Sequence, residues 1–289
     1  MKMSTCNWML AAAAFVGLAT AAPAALPVYT ASFDGAPYTV NSTINGIDGW
    51  TVRNSEARVV AGTGAQGSGQ FVELSAGAEV DLSLSNVTAL TGANLVWVEG
   101  YFRGAGSDTT LADARASYPA TAASAIVHFS SANGIEFLNG DRAGGDGTVV
   151  AANVPLGAAN ANTWYKITIQ LNFATSSWSV WVNNVNRGSN LGFKSAGVTK
   201  LNGFKNLAQN QAFFDSFRVV LPIAGDANGD TKKDAADVAT LLLIASQTPA
   251  TAGYDVITRT NGDVAAPSAN LTIDNTDVQT LIDQITAGT

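Results

Sequence analysis

Oxygen-bearing side chains recur through the segment Asp226-Ala227-Asn228-Gly229-Asp230-Thr231-Lys232-Lys233-Asp234-Ala235-Ala236-Asp237. Counted from Asp226, they fall at loop positions one, three, five, nine and twelve, while Lys232 at position seven has a backbone carbonyl to offer. A hard cation such as calcium gathers about six to eight oxygens, and alternate residues of a tight loop can turn inward around it. Asp237 then opens an apolar period, with Val238, Leu241, Leu242 and Ala245 spaced for one face of a helix. The same arrangement returns near the C-terminus, where Asp274 and Asp277 precede Val278, Leu281, Ile282 and Ile285. The oxygen donors before Asp274 align in two ways. Either Ala266, Ser268 and Asn270 take positions one, three and five, or Asn261 and Asp263 supply positions three and five across an insertion. Both alignments lose a strong ligand, so the second calcium loop is expected to be weaker or empty.

Other chemistry is sparse. Glu79 and Asp81 share one face of a strand-like run and could serve as an acid–base pair, but Leu84 stands where a third acid would complete the array. The single histidine, His128, has no acid or nucleophile beside it in sequence, and ordinary hydrogen bonding within a sheet accounts for it. The single cysteine, Cys6, lies close to the start of the chain, which excludes disulfide scaffolds and most zinc sites. Trp97, Tyr101 and Trp181 alternate with aliphatic neighbours, so one face of their strands is expected to present rings to solvent, where they could stack on sugars.

The elements that must position these groups are mostly strands. Tyr165, Ile167, Ile169, Leu171 and Phe173 alternate with polar residues, and Trp178, Val180 and Val182 follow after a short Thr/Ser loop, which reads as a hairpin. Asn133-Gly134 marks a tight turn between Ile126–Ser130 and Ile135–Leu138. Further strands are expected at Phe71–Leu74, Glu79–Leu84, Leu95–Arg103 and Phe213–Leu221. Many short strands without a long helical period predict a mainly β fold, a sandwich or barrel, over residues 25–221. Pro222 and Gly225 punctuate the end of this region. Residues 222–289 then hold 9 acidic against 3 basic residues and read as a separate small helical module. At the other end, Lys2, an apolar run from Trp8 to Leu18 and small residues near Ala21–Ala24 read as a signal peptide over residues 1–24.

The net charge is −7, and charged residues make up 13% of the chain, about half the usual share of roughly 25%. With no basic cluster, the chain is not expected to bind nucleic acid or an anionic bilayer, and after leader cleavage no segment could span a membrane.

Two resemblances follow. The run Trp164 to Ile169, the strand Trp178 to Val182 and the closing Phe213 to Val219 resemble the laminin-G/concanavalin-like jelly-roll superfamily, which implies a jelly-roll β-sandwich. The tandem loop–helix of residues 222–289 resembles the EF-hand-like dockerin family. That resemblance implies calcium held by Asp226, Asn228, Asp230, Lys232, Asp234 and Asp237, with a second set drawn from Asn261, Asp263, Asn270, Asp274 and Asp277. It also implies a cohesin-like protein partner. Thr231 replaces the family's turn glycine, Lys233 fills a position normally apolar, and Ala235-Ala236 stand where recognition hydroxyls often occur. The reading as a whole is a secreted, bacterial-type extracellular or cell-surface protein. It is expected to be non-catalytic and to bind a polysaccharide or serve a structural role. The alternatives are a polysaccharide-degrading glycoside hydrolase and a purely structural surface protein.

Overall fold

A computed structural model describes residues 27–104, 106–118, 122–156, 162–195, 197–227, 233–246, 257 and 273–288. The proposed leader lies outside the described residues. So do Asn228, Asp230, Lys232, Asn261, Asp263 and Asn270 of the proposed calcium loops.

The chain is mainly β. Its largest sheet has eight strands, with β12 (Val185–Gly192), β11 (Ser177–Val182), β10 (Tyr165–Asn172), β6 (Leu95–Gly104), β14 (Ala212–Val220), β4 (Gln70–Leu74) and β3 (Ala57–Ala61) in that order. An eighth strand, β1 (Pro27–Ala31), pairs with the later residues of β14, after β4 has paired with its first residues. A three-stranded sheet orders β13 (Gly203–Leu207), β5 (Glu79–Ser83) and β2 (Trp50–Arg53), and another orders β7 (Val127–Ser130), β8 (Gly134–Asn139) and β9 (Thr148–Ala151). Each pairing between these strands is antiparallel.

One face of the large sheet packs on both smaller sheets through a single apolar core. Val96, Val98, Ile167, Leu171, Trp178 and Val180 come from the large sheet, Trp50, Val80 and Leu82 from one small sheet, and Ile135 and Phe137 from the other. Alternation puts these residues inside, because successive side chains of a strand point to opposite faces. The densest part is aromatic. Trp50 lies within 5.3 Å of Phe214 and 5.7 Å of Phe217, and Phe33 meets Phe214 edge-on at 5.2 Å.

The expected hairpin is present as β10 and β11, with Ile169 opposite Val180 and Leu171 opposite Trp178. Gly134 has φ 79°, a conformation glycine adopts without strain, and it follows the turn from β7 into β8. The runs at residues 71–74, 79–84, 95–103 and 213–221 are strands within a residue or two of their expected ends.

Besides a short α1 (Leu111–Ala114), the described residues toward the C-terminus include the helices α2 (Ala235–Ala245) and α3 (Asn275–Ala287). A separate apolar cluster joins Ala227, Leu241, Ile244, Ile273, Val278 and Leu281. The spacing placed Leu242 and Ile282 on the buried faces, and here the structure differs. Leu242 is 50% exposed and Ile282 38%, while Ile244 and Leu281 are fully enclosed. The apolar stripe of α2 is Val238, Leu241 and Ile244–Ala245, turned by one residue from the period read in sequence. Two adjacent leucines, Leu242 and Leu243, cannot both face a core met by Leu241.

Truncating Phe214 to Ala removes a ring held between Phe33 and Trp50. The expected cost is about 3–5 kcal/mol, read as a shift of the urea unfolding midpoint with an unchanged slope. A loss below about 1 kcal/mol would show that this aromatic cluster is not the packed centre of the core.

Candidate functional site

The outer face of the large sheet, opposite its core, carries a set of charged and aromatic side chains. Register lines them up in rows across β10, β6 and β14. Lys166, Tyr101 and Asp215 share one row, Thr168, Glu99 and Arg218 the next, and Gln170, Trp97 and Val220 a third. At the far end Arg103 stands opposite Phe213. From Trp97 to Arg103 the face extends about 20 Å at the usual strand rise.

Glu99 holds the middle. Its carboxylate accepts hydrogen bonds from Thr168 Oγ1 at 2.7 Å and from Arg218 Nη2 at 2.6 Å, and pairs with Lys166 Nζ at 2.9 Å. Glu99 and Lys166 are both buried, so the cluster is shielded from water and ties three adjacent strands together. No sequence spacing announces it, because Glu99 lies more than sixty residues from each of its partners.

The structure corrects the expectation for the tryptophans. Trp97 is 0% exposed and Trp181 4%, and their rings pack on each other at 5.2 Å, tilted by 40°, rather than facing solvent. Val220 and Ile257 complete this cluster. Ile257 thus lies against the face the alternation left open. Alternation distinguishes two faces of a strand, but it does not say what lies over each. Tyr101 is half-buried between the covered end and the Arg103 end.

At the Arg103 end, the guanidinium carbon sits 4.2 Å from the centre of the Phe213 ring, 4.7 Å from Trp164 and 4.8 Å from Phe71. Phe71 meets both other rings edge-on, at 5.5 Å and 5.6 Å. The aromatic frame was not read from the sequence. Trp164 beside the β10 run was the only signal, and Phe71 and Phe213 join it through strand pairing.

The remaining chemical candidates are tied to neighbours. Glu79 pairs with Lys205 and accepts from Asn54 Nδ2 at 3.3 Å, while Asp81 lies 3.2 Å from Arg53 Nε and 4.0 Å from Lys205. Both acids are thus neutralised by cations on the flanking strands β2 and β13. His128 is buried, with Nε2 2.9 Å from the Thr109 carbonyl and Nδ1 3.1 Å from the Tyr118 hydroxyl. Donation from Nε2 to that carbonyl leaves Nδ1 to accept from Tyr118. Burial raises the Tyr118 pKa, which keeps this hydroxyl a donor.

The two C-terminal helices begin alike. Asp234 accepts from the Ala236 amide at 2.8 Å, and its own amide donates to Asp237 Oδ2 at 2.8 Å. Asp274 accepts from the Thr276 amide at 2.7 Å, and its amide donates to Asp277 Oδ2 at 3.0 Å. Each is a reciprocal capping box, with an Asp where Glu is more usual at the third helical position. Asp226, Asp237 and Asp277 are buried. Gly225 (φ 89°) turns the chain into Asp226 at a spot where a Cβ would lie 2.8 Å from the Lys233 side chain and 3.0 Å from Leu281. The Lys233 stem therefore packs where an apolar residue was expected, and its amine reaches Gln284 Oε1 at 3.4 Å. Asp226 and Asp237, at the ends of the expected first loop, are oxygen donors of the type a hard cation takes, and Asp237 Oδ2 accepts from the Asp234 amide. Among the described residues, no three acidic, His or Cys side chains gather in a way that could hold a metal ion. No described helix is long and apolar enough to cross a membrane.

No family model and no curated protein matches the chain. Solved structures give distant similarities. One is a sialidase, at 8% identity and TM-score 0.42, covering 70% of this chain and 19% of its own. Another is domain 4 of AbnA, a GH43 extracellular arabinanase from Geobacillus stearothermophilus, in complex with arabinotriose. It has 15% identity and TM-score 0.40, covering 68% of this chain and 93% of that domain. A third is the binding domain of botulinum neurotoxin DC in complex with rat synaptotagmin II, at 13% identity and TM-score 0.38, covering 58% and 43%. The chain thus spans about a fifth of the sialidase and less than half of the toxin domain.

Replacing Glu99 by Gln removes the carboxylate that Lys166 and Arg218 share on a shielded face, and is expected to cost about 3 kcal/mol in denaturant unfolding. Arg53→Ala breaks an ion pair whose arginine is 60% exposed, and less than about 1 kcal/mol is expected. Equal losses would contradict the shielding of Glu99. A second expectation concerns pH. The Thr276 amide and side chain, and the Asp277 amide, lower the Asp274 pKa. A depressed carboxylate stabilises the fold above its unfolded pKa and loses that contribution as pH falls through the folded value. Acid titration followed by circular dichroism at 222 nm is expected to show α3 losing helicity below the ordinary carboxylate range, and Asp274→Ala to remove that step. An unchanged titration curve in the variant would rule out this cap as its origin.

Proposed function

We propose that this protein is a non-catalytic, extracellular or cell-surface protein of bacterial type. Its β-sandwich binds a polysaccharide or acts as a structural element, and its C-terminal tandem loop–helix unit binds calcium. The observation that carries this reading is the repeated Asp-x-x-Asp capping box. Asp234/Asp237 and Asp274/Asp277 adopt the same bonds at the starts of two helices that pack on one another. Asp226 and Asp237, at the first and last loop positions, are both buried carboxylates of the hard-donor type that calcium takes. Calcium, when bound, supplies the positive charge. Asn228, Asp230 and the Lys232 carbonyl are the further donors proposed for the first loop, and Asn261, Asp263, Asn270, Asp274 and Asp277 are the candidates for the second.

For the sandwich, the ion-paired states of Glu79 and Asp81 favour binding over bond cleavage. A groove of about 480 Å³ lined by Asn41, Thr43, Asn45, Ser55, Glu56 and Arg58 offers the amide and hydroxyl groups that meet sugar hydroxyls. Attachment to a cohesin-like partner is the proposed use of the C-terminal unit. Leu242, Leu243 and Ile282, apolar and exposed on its helices, would be the first residues to test in that contact.

Calorimetric titration of the full chain with calcium is expected to show one clear event and a weaker second one, since the second loop lacks a strong ligand. At about a hundredfold excess over its dissociation constant, calcium would stabilise the fold by about 2.7 kcal/mol, raising the melting temperature over that in chelator. Asp226→Asn is expected to remove most of that rise. No heat of binding, or two equal tight events, would overturn the assignment of the loops.

A further inference from the structure

Among the described arginines of the strands, Arg103 and Arg187 stand outside the ion pairs, and of these two Arg103 lies over aromatic rings. Arg53 pairs with Asp81, Arg58 with Glu73, Arg115 with Asp146 and Arg218 with Glu99. Among the described residues, Arg103 has no carboxylate partner and makes no hydrogen bond. Its Nε is enclosed without an acceptor, and so is Trp164 Nε1 beside it. Glu73, the acid across β14 from Phe213, is already engaged by Arg58 and Gln211. The corner where β4, β14, β6 and the start of β10 meet therefore holds donors in excess of acceptors. Burial draws the Arg103 pKa down from its ordinary value, but a guanidinium starts so high that the charge is retained.

Phe71, Phe213 and Trp164 fix the guanidinium by cation–π contact, which removes the rotamer freedom an arginine ordinarily loses on binding. A planar guanidinium so held presents its terminal N–H groups as a fork matched to the two oxygens of a carboxylate. Around it, Trp164 and Phe213 are only half-buried and leave apolar ring surface at the rim. A carboxylate joined to a flat-faced pyranose uses both features together, the acid on Arg103 and the ring against the aromatic rim.

We propose that Arg103, framed by Phe71, Trp164 and Phe213, is the subsite for a uronate-type acidic sugar in a polysaccharide. This deepens the glycan-binding reading above and rests on it. Arg103 is the binding residue, through two hydrogen bonds donated to one carboxylate. Trp164 positions it and meets the sugar face.

The test uses the full chain and four probes: de-esterified galacturonan oligomers, the same oligomers fully methyl-esterified, a neutral arabinan, and poly-L-glutamate. Wild-type protein is expected to bind the free-acid oligomers at least tenfold more tightly than the methyl esters. Arg103→Lys keeps the charge and the contact with the rings but loses the fork, and is expected to weaken free-acid binding at least tenfold. Arg103→Gln is expected to abolish the preference over the ester. Melting temperature and near-ultraviolet circular dichroism verify the fold of each variant, and Trp164→Phe serves as a second variant should Arg103 prove essential to folding. Trp164→Phe is expected to weaken the acid oligomers severalfold while sparing the fold. Equal binding of acid and ester, or undiminished acid binding in Arg103→Lys, overturns the subsite. Poly-L-glutamate bound as tightly as the acid oligomers overturns the sugar assignment. Binding of arabinan alone overturns this inference and leaves the glycan-binding reading standing, whereas binding of no glycan overturns both.

Discussion

The arrangement depends on a carboxylate that cannot reach water. Glu99, at the centre of the large sheet, is closed in with Lys166, Thr168 and Arg218, and each comes from a strand hydrogen-bonded to its neighbour. A buried ion that loses a partner is far costlier than an exposed one, because nothing else in the interior solvates the remainder. The register of β10, β6 and β14 is thereby fixed from the outer side as well as from the core. A slip of one residue would carry Glu99 into the aliphatic layer formed by Val96 and Val98, and would bring those valines outward.

That constraint divides the outer face. On one side of Glu99 the rings of Trp97 and Trp181 meet at a tilt and pack with Ile257 in an apolar patch. On the other side Tyr101 leads to Arg103 and its three rings, where side chains remain half-buried. The sheet thus offers two unlike surfaces along about 20 Å of a single strand: an apolar seat for Ile257 and a cationic, aromatic corner. The apolar seat explains why two tryptophans lie on the face opposite the core. They are the contact surface for another part of the same chain.

Much of the local structure was legible. The β10–β11 hairpin follows from strict alternation around a short polar loop, and the turn before β8 from the positive φ that Gly134 supplies. The two helices follow from the apolar periods after Asp237 and Asp277, but they start two residues before those acids, at reciprocal caps made by Asp234 and Asp274. The rotation of α2 was not legible, because Leu241, Leu242, Leu243 and Ile244 are consecutive apolar residues that fit several helical stripes equally well. Strands such as β12, with the sequence Val-Asn-Arg-Gly-Ser-Asn-Leu-Gly, carry no hydrophobic period and form through pairing with β11. The Glu99 cluster and the Arg103 frame were hidden for another reason. Both are assembled by strand pairing between segments far apart in the chain, and one-dimensional spacing carries no record of such contacts. The sequence reading of Trp97 and Trp181 erred in the same way, by treating the face away from the core as one open to water.

The central claim is that this outer face is closed at its tryptophan end and open at its arginine end. Hydroxyl-radical footprinting of the intact chain, read by mass spectrometry at each tryptophan, tests both halves together. The account predicts that Trp97 and Trp181 are protected to the level of the core residue Trp50, while Trp164 is oxidised readily. Oxidation of Trp97 or Trp181 at the rate of Trp164 would contradict it.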